Sequence, residues 1–179
     1  MSNLEERTIA TEPIFDGRVI KVRVDEVVLP NGETSKREIV KHPGAVAIIA
    51  ITDDKKIVLV EQYRKAMEKA LVEIPAGKLE QGEKPEVTAI RELEEETGYI
   101  CDNMELITSF YTSPGFADEI VYVYEATGLK KKEDKADLDE DEFVELMEVS
   151  LEEALQLINE QRIHDAKTMF AIQYLQLKK

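Results

Sequence analysis

The sequence predicts an α+β protein in which a small N-terminal β meander precedes a mixed-sheet domain, and three observations carry that expectation. Apolar and polar residues alternate along 18–29 (RVIKVRVDEVVL), the period of a strand with one buried face. Residues 44–51 (GAVAIIAI) are continuously apolar, as in a strand buried on both faces. Helical segments with clear ends follow, but they do not alternate regularly with strands, which argues against a doubly wound parallel sheet.

After the first alternating strand, Pro30, Asn31 and Gly32 mark a turn, and 35–40 can return as a second strand. Residues 1–43 therefore form a meander, distinct from a second domain over 44–179. Beyond 44–51, Asp53 and Asp54 turn the chain into 56–62 (KIVLVEQ), the expected hairpin partner. Residues 71–74 make a short strand that runs into Pro75, Ala76 and Gly77, and further β-rich stretches lie at 106–111, 120–125 and 143–149. The first helix spans 85–97, with Pro85 in its first turn and Gly98 as its stop. A second begins at Ser150, whose SLEE sequence is a capping box through Glu153. A third runs over 165–177, with Met169, Phe170, Ile172 and Leu175 as its apolar positions. The stretch 128–142 (GLKKKEDKADLDEDE) reads as a solvated loop.

Composition narrows the function. With 38 acidic and 23 basic residues the net charge is −15, so nucleic acid and anionic membranes are poor partners. An anionic small substrate would need local cations. The single cysteine, Cys101, permits no intramolecular disulfide, which fits a reducing compartment. The N-terminus (MSNLEERTIATEP) lacks the apolar core of a signal peptide, and no run approaches the ~20 apolar residues of a membrane span. A cytoplasmic location is expected.

The segment richest in chemistry is 77–99, GKLEQGEKPEVTAIRELEEETGY. At about 100° per residue, Glu92, Glu95 and Glu96 fall within an arc of about 100° on the helix. Val87, Ile90, Leu93 and Thr97 lie mainly opposite, so they are expected to dock on the sheet while the carboxylates converge in a cleft. Like charges at these spacings destabilise a helix by a few tenths of a kcal/mol per pair. A cation should compensate, either Arg91 or a hard divalent ion, which prefers oxygen ligands. Such an ion would also neutralise substrate phosphates and ready a water for attack. Acidic helices that are merely solvated are the ordinary alternative.

This segment resembles the Nudix box, G-x5-E-x7-R-E-U-x-E-E-x-G-U, with U a bulky aliphatic. Gly77, Glu83, Arg91, Glu92, Leu93, Glu95, Glu96 and Gly98 match in register, and Tyr99 replaces the last U at a position expected to serve packing. The resemblance implies the Nudix fold, an α/β/α sandwich with a mixed sheet, in which the box forms a loop–helix–loop. It further implies a Mg²⁺ site, open to Mn²⁺ or a similar ion. Glu92 and Glu96 would be the core ligands, assisted by Glu95, the Ala76 carbonyl and, from the acidic loop, Glu142. Arg91 would hold the cluster through an ion pair with Glu83.

The rest of the chain resembles the ADP-ribose pyrophosphatase subfamily, through KREIVKHPGAVAI at 36–48, EQYR at 61–64, YTSPGFADE at 111–119 and DEDEFVE at 139–145. Pro114, 16 residues after Gly98, stands where ADP-ribose hydrolases of the family have a proline. By this resemblance Arg37 and Arg64 hold the phosphates or the adenine side of the substrate. Ser113, Gly115 and Glu119 contact the terminal ribose, often across a dimer interface. Arg18 lies near where relatives often carry an aromatic residue that stacks on adenine, and it would stack by cation–π contact instead. His42 sits where some relatives place a helpful basic residue. Glu142 or Glu140 would help deprotonate the attacking water.

The implied activity is Mg²⁺-dependent hydrolysis of ADP-ribose to AMP and ribose 5-phosphate, by a homodimer that exchanges its N-terminal meander. Two alternatives stand beside it: a broader nucleoside diphosphate sugar pyrophosphatase, and a non-catalytic Nudix-fold binding domain. The complete set of box glutamates speaks against the second.

Overall fold

The alternation at 18–29 becomes the middle strand of a three-stranded antiparallel meander, β1 (Arg7–Asp16), β2 (Lys21–Val28) and β3 (Thr34–Lys41), paired in the order β1-β2-β3. The computed structural model describes residues 4–132 and 143–178. The polypeptide divides into two compact units: the described residues up to Gly44 with Phe110–Ile120, and Ala45–Ser109 with the described residues after Ile120.

In the first unit, β1 is a strand that the sequence reading did not place. Its ladder with β2 shifts register between Thr8 and Ala10 and again between Pro13 and Phe15, the second beside a proline that has no N–H to donate. All ten of its residues are exposed. Gly32, at a φ of 90°, closes the β2–β3 turn, and its N–H donates to the Leu29 carbonyl. The loop 110–120 is tied to β3: the Val40 N–H donates to the Phe116 carbonyl and the Asp118 N–H to the Val40 carbonyl. The Asp118 carboxylate also pairs with Lys41 and accepts from the His42 N–H.

In the second unit the apolar run forms β4 (Ala45–Ala50), with Val46 to Ala50 wholly buried. The strands that follow are β5 (Ile57–Arg64), β6 (Lys69–Glu73) and β7 (Ala76–Lys78), and after α1 (Pro85–Thr97) come β8 (Tyr99–Ile100), β9 (Asn103–Tyr111), β10 (Ile120–Thr127) and β11 (Lys130–Lys131). The chain closes with β12 (Val144–Val149), α2 (Leu151–Asn159) and α3 (Ala166–Leu177). β4 lies between an antiparallel β7 and a parallel β10 in the sheet β7-β4-β10-β9, and β5 is the middle strand of a second sheet, β12-β5-β6. The result is the α+β class with a mixed sheet.

The expected β4–β5 hairpin is not formed. β10 pairs one edge of β4 along Ala45–Ala50, and on the other edge β7 pairs Ala45–Ala47 while the Ile48 N–H donates to the Pro75 carbonyl. β5 joins the other sheet, and a single bridge, Ile51 to Ile57, marks the turn.

α1 has the expected ends: Pro85 in its first turn, and Gly98 as a left-handed cap whose N–H donates to the Glu94 carbonyl. Its buried face matches the expected one at Leu93 and Thr97 and differs from it elsewhere. Val87 and Ile90 are 51% and 43% exposed, whereas Thr88, Ala89, Glu92, Leu93, Glu96 and Thr97 are buried. Ala89 and Leu93 enter a core cluster with Val46, Ile48 and Tyr124. The two glutamates turn inward beside them because the strand they meet offers a glycine and an N–H rather than a side chain. Tyr99 packs in that same cluster and donates its hydroxyl to Glu148 at 2.6 Å. Burial and that carboxylate push its pKa up to about 12. The capping box at Ser150 is complete, and Asp165 caps α3 by accepting from the Thr168 N–H. No helix of the described residues is long and apolar enough to cross a membrane.

Candidate active site on helix α1

The site is built where α1 crosses β7. Gly77 lies so close to the helix that a Cβ on it would fall 1.9 Å from the Glu92 carboxyl carbon. One helical turn on, the Glu96 carboxylate accepts from the Ala76 N–H at 3.0 Å through Oε2 and from the Gln62 side-chain amide at 3.0 Å through Oε1. Glu92 and Glu96 are 8% and 2% exposed. Two carboxylates one turn apart in a buried setting repel each other, and such a pair requires cationic compensation.

Arg91 supplies part of it. Its Nη1 lies 2.9 Å from Glu92 and donates to Glu95 at 2.8 Å, and its Nη2 lies 3.4 Å from Glu83. Burial alone would pull the guanidinium pKa down, but Glu83, Glu92 and Glu95 outweigh it and hold Arg91 above its ordinary value. Its Nε is buried without a hydrogen-bond partner among the described residues. Glu83 in turn accepts from the Thr88 hydroxyl at 2.8 Å, which with Arg91 keeps its carboxyl below the usual range. The predicted Arg91–Glu83 pair is thus present, and Arg91 spans three carboxylates.

Arg64 ends β5 and is gripped by the buried Glu73, through Nε at 2.6 Å and Nη2 at 2.7 Å. Lys167 of α3 also pairs with Glu73 and lies 2.9 Å from Asp165. Burial would raise the Glu73 pKa, and the two cations overcome that and lower it.

A NUDIX domain family model matches residues 41–171. The chain belongs to the Nudix family. A second model, the nucleoside diphosphate sugar hydrolase N-terminal domain, matches residues 6–40. Among curated relatives, a Bacillus methanolicus protein named methanol dehydrogenase activator is 69% identical, over 97% of this chain and 94% of that one. A Bacillus subtilis (strain 168) protein named ADP-ribose pyrophosphatase is 64% identical, over 99% of this chain and 96% of that one. A solved structure described as an ADP compounds hydrolase shares the fold at a TM-score of 0.85, covering 98% of this chain and 95% of that one at 20% identity.

Nudix hydrolases depend in general on divalent metal ions, and the α1 donor set fits one. Glu92 and Glu96 bring hard oxygen donors to one buried spot, and an ion of the Mg²⁺ type commonly takes one or two carboxylates, with waters and substrate phosphates completing its shell. Among the described residues, no three His, Cys, Asp or Glu side chains are already gathered into a complete cage. Glu95 is drawn toward Arg91, the contact found for Ala76 is made by its N–H, and Glu140 and Glu142 lie outside the described residues.

The remaining expected substrate contacts belong to the first unit. Arg37 is engaged by Glu6, at 2.8 Å and 2.6 Å, and by Ser35 and the Lys36 carbonyl, so meeting a phosphate there requires exchanging Glu6. Arg18 and Gly115 are exposed and Ser113 is half-buried. Glu119 accepts from the Thr112 hydroxyl and lies 3.7 Å from His42, whose Nδ1 accepts from the Gly44 N–H. Sequence reasoning did not single out Gln62, Glu73 or Lys167. The one signal available was the switch at the end of β5 from the apolar 57–60 to the polar 61–64.

Proposed function

We propose that this Nudix protein hydrolyses the pyrophosphate link of ADP-ribose to AMP and ribose 5-phosphate, using Mg²⁺ with Mn²⁺ able to replace it. The 64% identity, over 99% of the chain, to the Bacillus subtilis protein named ADP-ribose pyrophosphatase carries this reading. The paired glutamates of α1 support it. Glu92 and Glu96 would hold the ion, which when bound lowers the charge of the diphosphate and the pKa of a water. Arg91 keeps Glu83, Glu92 and Glu95 together against their mutual repulsion. Arg64 spends Nε and Nη2 on Glu73, which leaves Nη1 for a phosphate oxygen and fixes its direction. Glu140 or Glu142 would take the proton of the attacking water, and a Gln substitution at the acting residue would lower kcat by ~10²–10⁴-fold. Arg18, Arg37, Ser113, Gly115 and Glu119 would recognise the substrate from the first unit, and their substitution should raise KM more than it lowers kcat.

The test is a panel of nucleoside diphosphate sugars, assayed with Mg²⁺ and with excess chelator, the products weighed after reaction in ¹⁸O-water. ADP-ribose should lead the panel and chelation should abolish turnover. Equal rates across the panel would favour the broader sugar hydrolase, the breadth named by the model that matches residues 6–40. The Bacillus methanolicus relative, by its name, favours a second reading in which the chain acts on a methanol dehydrogenase. A dehydrogenase assay with and without the chain tests that, and an unchanged rate would remove it.

The chain is further proposed to be a cytoplasmic homodimer joined partly through the N-terminal meander. β1 is exposed along its whole length and carries Ile9, Ile14 and Phe15 at 46%, 56% and 55% exposure, an edge that invites pairing. Light scattering should return twice the chain mass, and a stable monomer at micromolar concentration would overturn this.

A further inference from the structure

We infer that Gln62 is a positioning residue for Glu96, and that its side-chain amide sets how tightly the α1 carboxylates hold a divalent ion; the inference rests on the metal-dependent reading above. Gln62 donates through Nε2 to Glu96 Oε1 at 3.0 Å, while the Ala76 N–H donates to Oε2 at 3.0 Å. The two donors stand on strands of different sheets, β5 and β7, so the carboxylate is fixed from two sides. An ionised carboxylate offers about four lone-pair sites. These two contacts therefore orient it while each uses one site on one oxygen.

The chemical type of the donor matters. An amide is neutral, so it orients Glu96 without cancelling the charge that a metal ion needs. Glu73 is equally buried and is paired directly with two cations, Arg64 and Lys167, whereas the side chain that meets Glu96 from β5 is a neutral amide. A lysine or arginine in place of Gln62 would set a cation against Glu96 as well, and a leucine would take the donor away from Oε1.

The backbone under Gln62 is firm. β5 is the middle strand of its sheet, and Gln62 is paired on one side with Leu71 of β6 and on the other with Val144 of β12. With its Cα held on both sides, the side chain can impose a direction on Glu96 rather than follow it. A group that fixes a metal ligand from outside the coordination shell commonly changes affinity or activity 10–100-fold when removed.

The experiment is calorimetric titration of the full chain with Mn²⁺, without substrate, for the unaltered protein, Gln62→Leu and Gln62→Asn. Leucine keeps the bulk and removes the donor, and asparagine keeps the amide but withdraws it by one methylene. Both should bind Mn²⁺ about 10–100-fold more weakly, with thermal midpoints close to the unaltered protein. In kinetics the metal concentration for half-maximal rate should rise by the same factor, while KM for ADP-ribose at saturating ion changes less than about threefold. Should Gln62→Leu fail to fold, Gln62→Asn carries the test. Affinity within twofold of the unaltered chain in the folded variants would mean that Gln62 only packs, and would overturn the inference alone. Absence of Mn²⁺ binding by the unaltered chain would overturn the metal-dependent reading and this inference with it.

Discussion

Glu96→Gln lowers kcat by about 10²–10³-fold at saturating divalent ion, the fall expected if several kcal/mol of charge stabilisation are lost at ~1.4 kcal/mol per tenfold. Stability should move little or rise. The substitution removes one of two buried carboxylates a turn apart, which relieves repulsion with Glu92. Against that, the Ala76 N–H and the Gln62 amide each donate to a carboxylate oxygen, and the new amide accepts from only one of them unless Gln62 turns over to accept, at a net cost of up to about 1 kcal/mol. A variant at least as stable as the parent and nearly inactive is the pattern of a residue kept for function against the interest of the fold. Circular dichroism melts beside ADP-ribose turnover give both quantities. Wild-type turnover would remove Glu96 from the metal site, and a collapse in the melting temperature would make its role structural.

Gly77→Ala should produce nearly the same phenotype by a different route. Gly77 is not among the glycines with positive φ, so alanine meets no backbone penalty there. Its Cβ would instead fall 1.9 Å from the Glu92 carboxyl carbon and from Oε1. The obstacle is the far end of one flexible side chain, so the fold yields by swinging Glu92 away rather than by parting α1 from β7. A displacement of about 1 Å in a catalytic constellation commonly costs 10²-fold in rate. The expected result is a folded protein with turnover reduced ~10²-fold and a weakened response to Mg²⁺. Unchanged activity would show that Glu92 tolerates displacement and is not a ligand. The box glycine is therefore required here for space beside a carboxylate, not for an unusual turn.

α1 was legible in its ends because Pro85, Gly98 and the box spacing act locally. Its buried face was legible only in part: Leu93 and Thr97 are buried as the patterning expects, but Val87 and Ile90 are not, and the glutamates expected to converge in a cleft are packed into the interior at Glu92 and Glu96. The depth of Glu92 and Glu96 has a tertiary cause: Gly77 and the Ala76 N–H belong to another strand. The partnership of β4 failed for a similar reason. A short connection between two apolar runs reads as a hairpin unless one knows that β7 and β10 pair with the two edges of β4. Arg91 and Glu83 were found through the box and meet as expected. Gln62 was not legible, because its partner Glu96 is 34 residues away and a polar residue at the end of an apolar strand carries no local sign of what it meets. Glu73 lies inside the short strand expected at 71–74, and its two cations come from β5 and α3, which no local window contains.

The parallel pairing of β4 with β10 also bears on how the chain is made. The register sets Ala45 beside Val121 and Ala50 beside Ala126, so each pair joins residues 76 positions apart. Contacts between such distant residues slow folding, because a long loop must close before any of them forms. On the ribosome the run GAVAIIAI emerges long before its parallel neighbour exists, and β7 can cover only one edge, over Ala45 to Ala47. Through that interval the most apolar strand of the protein presents an open ladder, the condition in which nascent chains associate wrongly. The same strand that supplies the deepest part of the finished core is thus the segment most dependent on the rest of the chain arriving in time.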